Sequence, residues 1–203
     1  MIDDELLYLW YGMMSRMVHT QKMEIALRFG GIRGLWEISE KRLQESLTRK
    51  QFEAVVENRT EHAVLEYRNR LAAGNITYVY PGHDCYPGKL YDITDPPMLL
   101  FAAGDINVLK DMAPAVAVVG ARKASVYGRT MADRISADVS AAGVTIVSGM
   151  ALGIDGAAHR AALSGGGRTV AVLGSGINVP YPRENYDIYR SRWRRRCGFG
   201  KRT

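Results

Sequence analysis

Apolar residues recur near the helical period at the start of the chain: Leu6, Leu7, Leu9 and Trp10, then Met13, Met14 and Met17, behind the acids Asp3, Asp4 and Glu5. This spacing predicts a first helix whose acidic first turn suits the positive end of the helix dipole. Gly12 interrupts the pattern and argues against an unbroken helix. A second helix is expected over 20–29, with Thr20 as N-cap and Gly30-Gly31 as its stop. Ser39 caps a third, with Arg42 where a capping-box acid would stand. Two more fit 50–58 and 61–73, the last closed by Gly74-Asn75. Five short helices with glycine-containing turns predict a small all-helical module over residues 1–75. Residues 21–31 have the outline of a helix-hairpin-helix, but the GxG-type hairpin that grips phosphate is not clear there, and a packing module is the favoured reading.

The pattern changes over 76–115. A short strand is expected at 76–80 and another at 98–102, separated by the turn chemistry of Pro81-Gly82, Tyr86-Pro87-Gly88 and Asp95-Pro96-Pro97. This stretch reads as a linker that contributes edge strands. Residues 116–189 then alternate in type. The apolar run 116–119 predicts a strand buried on both faces, followed by a helix over 126–142, a strand over 144–147, a helix over 153–163 and a strand over 169–173. Strand–helix–strand–helix–strand with short loops predicts a parallel sheet with right-handed crossovers. The fold class is therefore α/β, a partial Rossmann-like parallel sheet preceded by the helical module.

Charge changes the picture less than its size suggests. The net charge of +6 comes from the end of the chain: residues 190–203 hold seven basic side chains and no acidic one, and residues 1–189 hold 20 basic against 21 acidic. Bulk charge thus gives the folded part no affinity for nucleic acid, and any such site must be local. Cys85 and Cys197 have no metal-ligand or disulfide spacing. The acidic N-terminus is unlike a secretory signal, and no apolar stretch reaches the roughly 18 residues of a membrane span, so a cytoplasmic location without membrane contact is expected.

Ligands of open parallel sheets bind outside the carboxyl ends of the strands. All three strands end there in small-residue turns. Gly120 lets the first approach a ligand, Arg122 and Lys123 supply cations, and Ser125 stands at the start of a helix whose free amides suit phosphate. The second turn is Ser148-Gly149-Met150-Ala151-Leu152-Gly153, and the third holds Gly174 and Gly176 and leads to Arg183. Arg122-Lys123 at a helix start is mildly unfavourable without an anion, which favours an anionic ligand. Asp155 reads as a helix cap, and Asp155 with His159 as a hydrogen-bonded structural pair one turn apart. His19, His62 and His83 show no ligand spacing, and neither a catalytic triad nor a metal site is expected.

The strings VAVVGARKASVYGR, IVSGMALGIDGAAHRAAL and GGRTVAVLGSGINVPYPREN resemble the DNA-processing protein A (DprA/Smf) family, and they occur in its order over residues 116–185. The segment CYPGKLYDITDPPMLLFAAGDINVL is similar to the stretch before that family's Rossmann domain, and the helical N-terminus resembles its SAM-like domain. The resemblance implies a protein without catalysis or cofactor that binds single-stranded DNA and loads the RecA recombinase in natural transformation, as a homodimer in the intact family. It also assigns DNA contacts to Arg122 and to Arg183 of the YPREN string, with Gly120, Ser125, Ser148, Gly149, Gly153, Gly174 and Gly176 lining the same pocket. Tyr127 and Tyr181 are candidates for base stacking or for packing. From Arg190 the chain departs from the family's pattern. The expectation is a C-terminal truncation that removes the dimer interface, with residues 190–203 as a non-native or disordered tail. A genuine basic tail with nonspecific affinity is the alternative, and a sheet stopped there is expected to leave an apolar edge and face bare.

Other classes fare worse. A nicotinamide dehydrogenase needs G-x-G-x-x-G opening a helix, and Gly174-Ser175-Gly176 runs toward Pro180 instead. A nucleotide-processing enzyme of the lysine-decarboxylase-like (LOG) group shares the fold class, but no Glu follows Gly165-Gly166-Gly167-Arg168-Thr169 to complete its signature.

Overall fold

The computed structural model describes residues 2–110, 112, 114–195 and 198–200, which form two units. The first comprises residues 1–74 together with Lys89–Leu99. It holds six helices: α1 (Asp4–Met13), α2 (His19–Arg28), α3 (Gly31–Glu37), α4 (Glu40–Ser46), α5 (Arg49–Val56) and α6 (Glu61–Ala73). Side-chain caps start most of them. Asp3, Ser39, Thr48 and Thr60 each accept an amide of the first turn, and Thr48 with Gln51 completes a capping box. Two expectations are corrected here. Thr20 lies inside α2, which starts one residue earlier behind Val18 with no side-chain cap. Gly30-Gly31 does not only stop α2. Both glycines have positive φ, and α3 restarts at once from Gly31, adding a helix to the five expected. The core of the unit is built by Leu9, Trp10, Met14, Ile25, Leu35, Leu43, Val55 and Val64. Gly12 is required by packing, because a Cβ there would strike the side chain of Leu99, which arrives with the returning segment Lys89–Leu99.

The second unit comprises residues 75–88 and 100–203. It contains β1 (Thr77–Val79), β2 (Leu100–Ala103), α7 (Asn107–Lys110), β3 (Ala115–Ala117), α8 (Val126–Ala141), β4 (Thr145–Ser148), α9 (Ile154–Ser164), β5 (Thr169–Leu173), α10 (Tyr186–Arg195) and β6 (Gly198–Gly200). One six-stranded sheet runs β1-β2-β6-β5-β4-β3. Strands β3, β4, β5 and β6 are parallel, while β2 is antiparallel to both β1 and β6. The crossovers from β3 to β4 and from β4 to β5 carry α8 and α9, which pack against each other and against β4. Small residues let them approach closely: Ala132, Ser136 and Ser140 on α8, Ala158, Ala161 and Ala162 on α9. Ile146 of β4 packs beneath them with Ala158, Ala162, Val118 and Val139.

The run 116–119 is not buried on both faces. Among the described residues β3 is an edge strand paired with β4 alone; Val116 and Ala117 are exposed, and Val119 beyond the strand is 73% exposed. An apolar run reports hydrophobicity, not the number of layers around it. Val172, on the sheet face opposite Ile146, is also exposed. The outer edge of β5, by contrast, is covered by β6, so the edge expected to be bare is paired, and the exposed edge at β3 is a different one. In the stretch expected as a tail, the backbone of residues 190–195 continues α10 and 198–200 form β6; residues 196, 197 and 201–203 lie outside the described residues.

Candidate functional site

Loop 1 follows β3. Ser125 caps α8, its Oγ accepting from the Gly128 amide at 3.0 Å, so the Val126 and Tyr127 amides of the first turn have no helical acceptor. Arg122 and Lys123 lie just before this helix start. Both are exposed, and among the described residues neither makes a side-chain hydrogen bond or ion pair. Arg129, a further exposed cation nearby, donates from Nη1 to the Ala124 carbonyl at 2.6 Å. Gly120 is needed for closeness: a Cβ there would come within 2.6 Å of Ile154 Cγ1 at the start of α9.

Loop 2 follows β4, and its polar groups turn inward. Ser148 is buried and its hydroxyl donates to the Val118 carbonyl at 2.6 Å. The amides of Gly149 and Ala151 donate to Asp155 Oδ2 at 3.1 and 3.4 Å. Asp155 therefore does not cap its helix. Gly153 is the N-cap of α9, and the buried carboxylate fills a pair of amides that would otherwise suit an anion. Met150 is buried with φ +61°, a sparsely populated conformation for a non-glycine residue. Gly153 (φ +80°) lies against loop 1, where a Cβ would strike the carbonyls of Ala121 and Arg122, and the Ile154 amide donates to Ala121 O at 3.4 Å.

Loop 3 follows β5. Gly174 is exposed, and a Cβ there would meet nothing. The Val179 amide donates to Gly176 O at 2.8 Å, and the Tyr189 hydroxyl donates to Ile177 O. After a cis Tyr181–Pro182 bond, Arg183–Asn185 form one 3-10 turn. Arg183 is exposed, its carbonyl accepts from the Tyr186 amide, and among the described residues its side chain makes no hydrogen bond or ion pair. Asn185 is buried; its Nδ2 donates to the carbonyls of Met150 and Ala151 at 2.8 and 2.9 Å, tying loop 3 to loop 2. Arg160 of α9 completes the tie through Glu184 O, Asn185 Oδ1 and the Asp187 carboxylate.

All three loops leave the carboxyl ends of parallel strands, and direct bonds join each to the next. Around them Val119, Tyr127, Val179 and Tyr181 are at least half exposed. Of the residues expected at the site, Gly120, Arg122, Lys123, Ser125, Gly149, Gly174 and Arg183 are exposed. Gly176 and Gly153 are half-buried, and Ser148 lies behind the surface. The sequence reading passed over Asn185, Arg160 and Gly156, whose missing side chain leaves room for Asn185: a Cβ there would come within 2.8 Å of its Oδ1. Asn185 stood inside the quoted YPREN string, but Arg160 had no signal beyond its place after His159.

His159 is fully buried and does not pair with Asp155 by a hydrogen bond. Its Nδ1 lies 2.7 Å from Thr169 Oγ1, a hydroxyl that is also 2.9 Å from Ile146 O. Burial pushes its pKa down to about 4, with Asp155 opposing the shift. Among the described residues no group of three or more His, Cys, Asp or Glu could hold a metal ion, and no helix is long and apolar enough to cross a membrane.

Fold and site define a Rossmann-like α/β protein that offers, among the described residues, unpaired cations and free amides at the strand ends. The family model of DNA recombination-mediator protein A matches residues 77–197, and the chain belongs to that family. It is 47% identical over 102 residues to DNA processing protein DprA of Streptococcus pneumoniae, covering 50% of this chain and 35% of that protein. Against Protein Smf of Synechocystis it is 32% identical over 147 residues, covering 71% and 37%. The chain thus spans about a third of the length of the curated relatives it matches. The crystal structure of S. pneumoniae DprA superposes with a TM-score of 0.66 at 28% identity, over 96% of this chain and 67% of that one. A Helicobacter pylori DprA structure, described for its single-stranded-DNA binding mode, shares the fold with a TM-score of 0.55 at 24% identity, over 62% and 55%.

Proposed function

We propose that this chain binds single-stranded DNA across the three loops, holding the sugar-phosphate chain without reading bases and without catalysis or cofactor. In the cytoplasm it serves recombination by helping to load RecA in natural transformation, and its family's full length acts as a homodimer. One observation carries the reading: Arg122, Lys123 and Arg183 are exposed and unpaired among the described residues, on loops bonded to one another at one end of the sheet. Cations and helix-start amides recognise phosphate and carry no sequence information. Tyr127 and Tyr181, 75% and 63% exposed, are not used in packing and suit base stacking. Ser148 acts from behind, and Gly149 serves the loop's geometry while its amide serves Asp155. Family membership and the single-stranded-DNA binding of the H. pylori relative support the same reading. The nucleotide-processing alternative draws no support from loop 2, whose Gly149 and Ala151 amides hold Asp155.

The test is a titration of the full chain with labelled oligo(dT) at several salt concentrations. Every protein compared keeps the basic residues from Arg190 onward, so their contribution cancels. Arg122→Ala and Arg183→Ala should each weaken binding about tenfold and shallow the log–log salt slope by about 0.7, the value for one phosphate contact on a single strand. Affinity and slope unchanged in both variants would place the binding elsewhere.

A further inference from the structure

Arg160 looks like a fourth cation of the DNA surface, but its geometry gives it a different task. Its Nε and Nη2 donate to Asp187 Oδ2 and Oδ1 at 3.1 and 3.2 Å, a bidentate fork, and Nη2 also reaches Asn185 Oδ1 and Glu184 O, both at 2.9 Å. Every acceptor lies within the four residues after Arg183. The turn is also held by backbone bonds, the Asn185 amide donating to Pro182 O at 3.2 Å and the Tyr186 amide to Arg183 O, and the Asn185 side chain grips loop 2. Arg160 also fixes that side chain. By donating to Oδ1 it commits Nδ2 to the Met150 and Ala151 carbonyls. Gly156, one turn earlier on α9, keeps the space open; a Cβ there would come within 3.2 Å of Arg160 Nη1. The hydrogen bond from Arg160 holds the Asp187 carboxyl below its ordinary pKa, so the pair is ionised wherever DNA binding is measured.

We infer that Arg160 is a positioning residue: with Asp187 it clamps the turn that presents Arg183 and makes no phosphate contact of its own. The inference rests on the single-stranded-DNA reading of the site.

The sign of one substitution separates a clamp from plain electrostatics. Asp187→Asn removes a negative charge four residues from Arg183, so a role limited to charge predicts tighter binding to a polyanion. The clamp predicts about fivefold weaker binding to oligo(dT). Arg160→Lys keeps the charge but loses the planar fork, and should weaken binding by a similar factor. In an Arg183→Ala background both substitutions should have no further effect, because the group they position is gone. Thermal melts of each full-length variant identify any that does not fold, and the other then carries the test. Binding as tight as or tighter than wild type in Asp187→Asn, or losses that multiply with that of Arg183→Ala, would overturn the clamp. If Arg183→Ala itself binds like wild type, the parent reading fails and the clamp falls with it.

Discussion

Loops 1 and 2 leave neighbouring parallel strands, contain the same kinds of small residue and each run into a helix. Their polar groups point in opposite directions. Loop 1 keeps Arg122, Lys123 and two helix-start amides for solvent or ligand. Loop 2 gives its hydroxyl to Val118, two amides to Asp155 and the Met150 carbonyl to Asn185. A glycine turn after a strand can thus be a cradle or a bracket. The residue that decides here is the acid two places into the following helix, which satisfies loop 2 from within. Loop 1 has no such acid, and Gly153 of the bracket presses on its backbone and fixes its course.

This contrast can be broken first at the bracket. Gly153→Ala forces a Cβ onto a left-handed residue and into the carbonyls of Ala121 and Arg122. It should cost more than about 3 kcal/mol, read from urea unfolding. A midpoint near wild type would mean the loops are not held rigidly together. The foundation behind loop 2 comes next. His159 is neutral in the fold with a pKa of about 4, whereas the unfolded chain takes up a proton near the ordinary 6.5. Between these values the unfolded state binds more protons, so stability falls as pH is lowered through that window and levels off below it. The loss approaches about 3 kcal/mol, and a His159→Gln variant should show a flatter profile there.

A smaller pair of effects sets the two loops directly against each other. Ser148→Ala strands the Val118 carbonyl and should cost about 1–2 kcal/mol of stability. Arg122→Ala should lose about 1.4 kcal/mol of single-stranded-DNA binding while stability, by thermal melting, stays within about 0.5 kcal/mol. Reversed outcomes would exchange the roles of bracket and cradle. Gly174→Ala has the least to disturb, since its Cβ meets open space, and should leave stability within about 0.5 kcal/mol of wild type.

What could be read from the sequence follows a physical divide. The strand over 169–173 and the helices over 126–141 and 61–73 match their expected spans closely, because long periodic segments between glycines or caps carry their own signal. α3 was hidden because paired glycines look like an end, whereas here their positive φ turns the chain straight into another helix. The exposure of β3 was hidden because the neighbours of a strand are not written in the strand. The same holds at the site. Arg122 and Arg183 could be expected as exposed cations just past strands in a recognisable order, which is where they lie. Arg160 could not, and Asn185 only as part of the YPREN string, since their bonds span 24 to 35 residues and an arginine on a helix reads as a solvated face.

Leu99 filling the notch at Gly12 ties two distant stretches of chain into one helical unit. On the ribosome, with the N-terminus emerging first, the six helices wait with that notch open until some twenty-five further residues have been made. An expression fragment stopped at Gly74 would carry the same uncovered spot permanently. A soluble piece for crystallisation or spectroscopy therefore has to extend through Leu99, and it brings β1 with it as a stranded passenger.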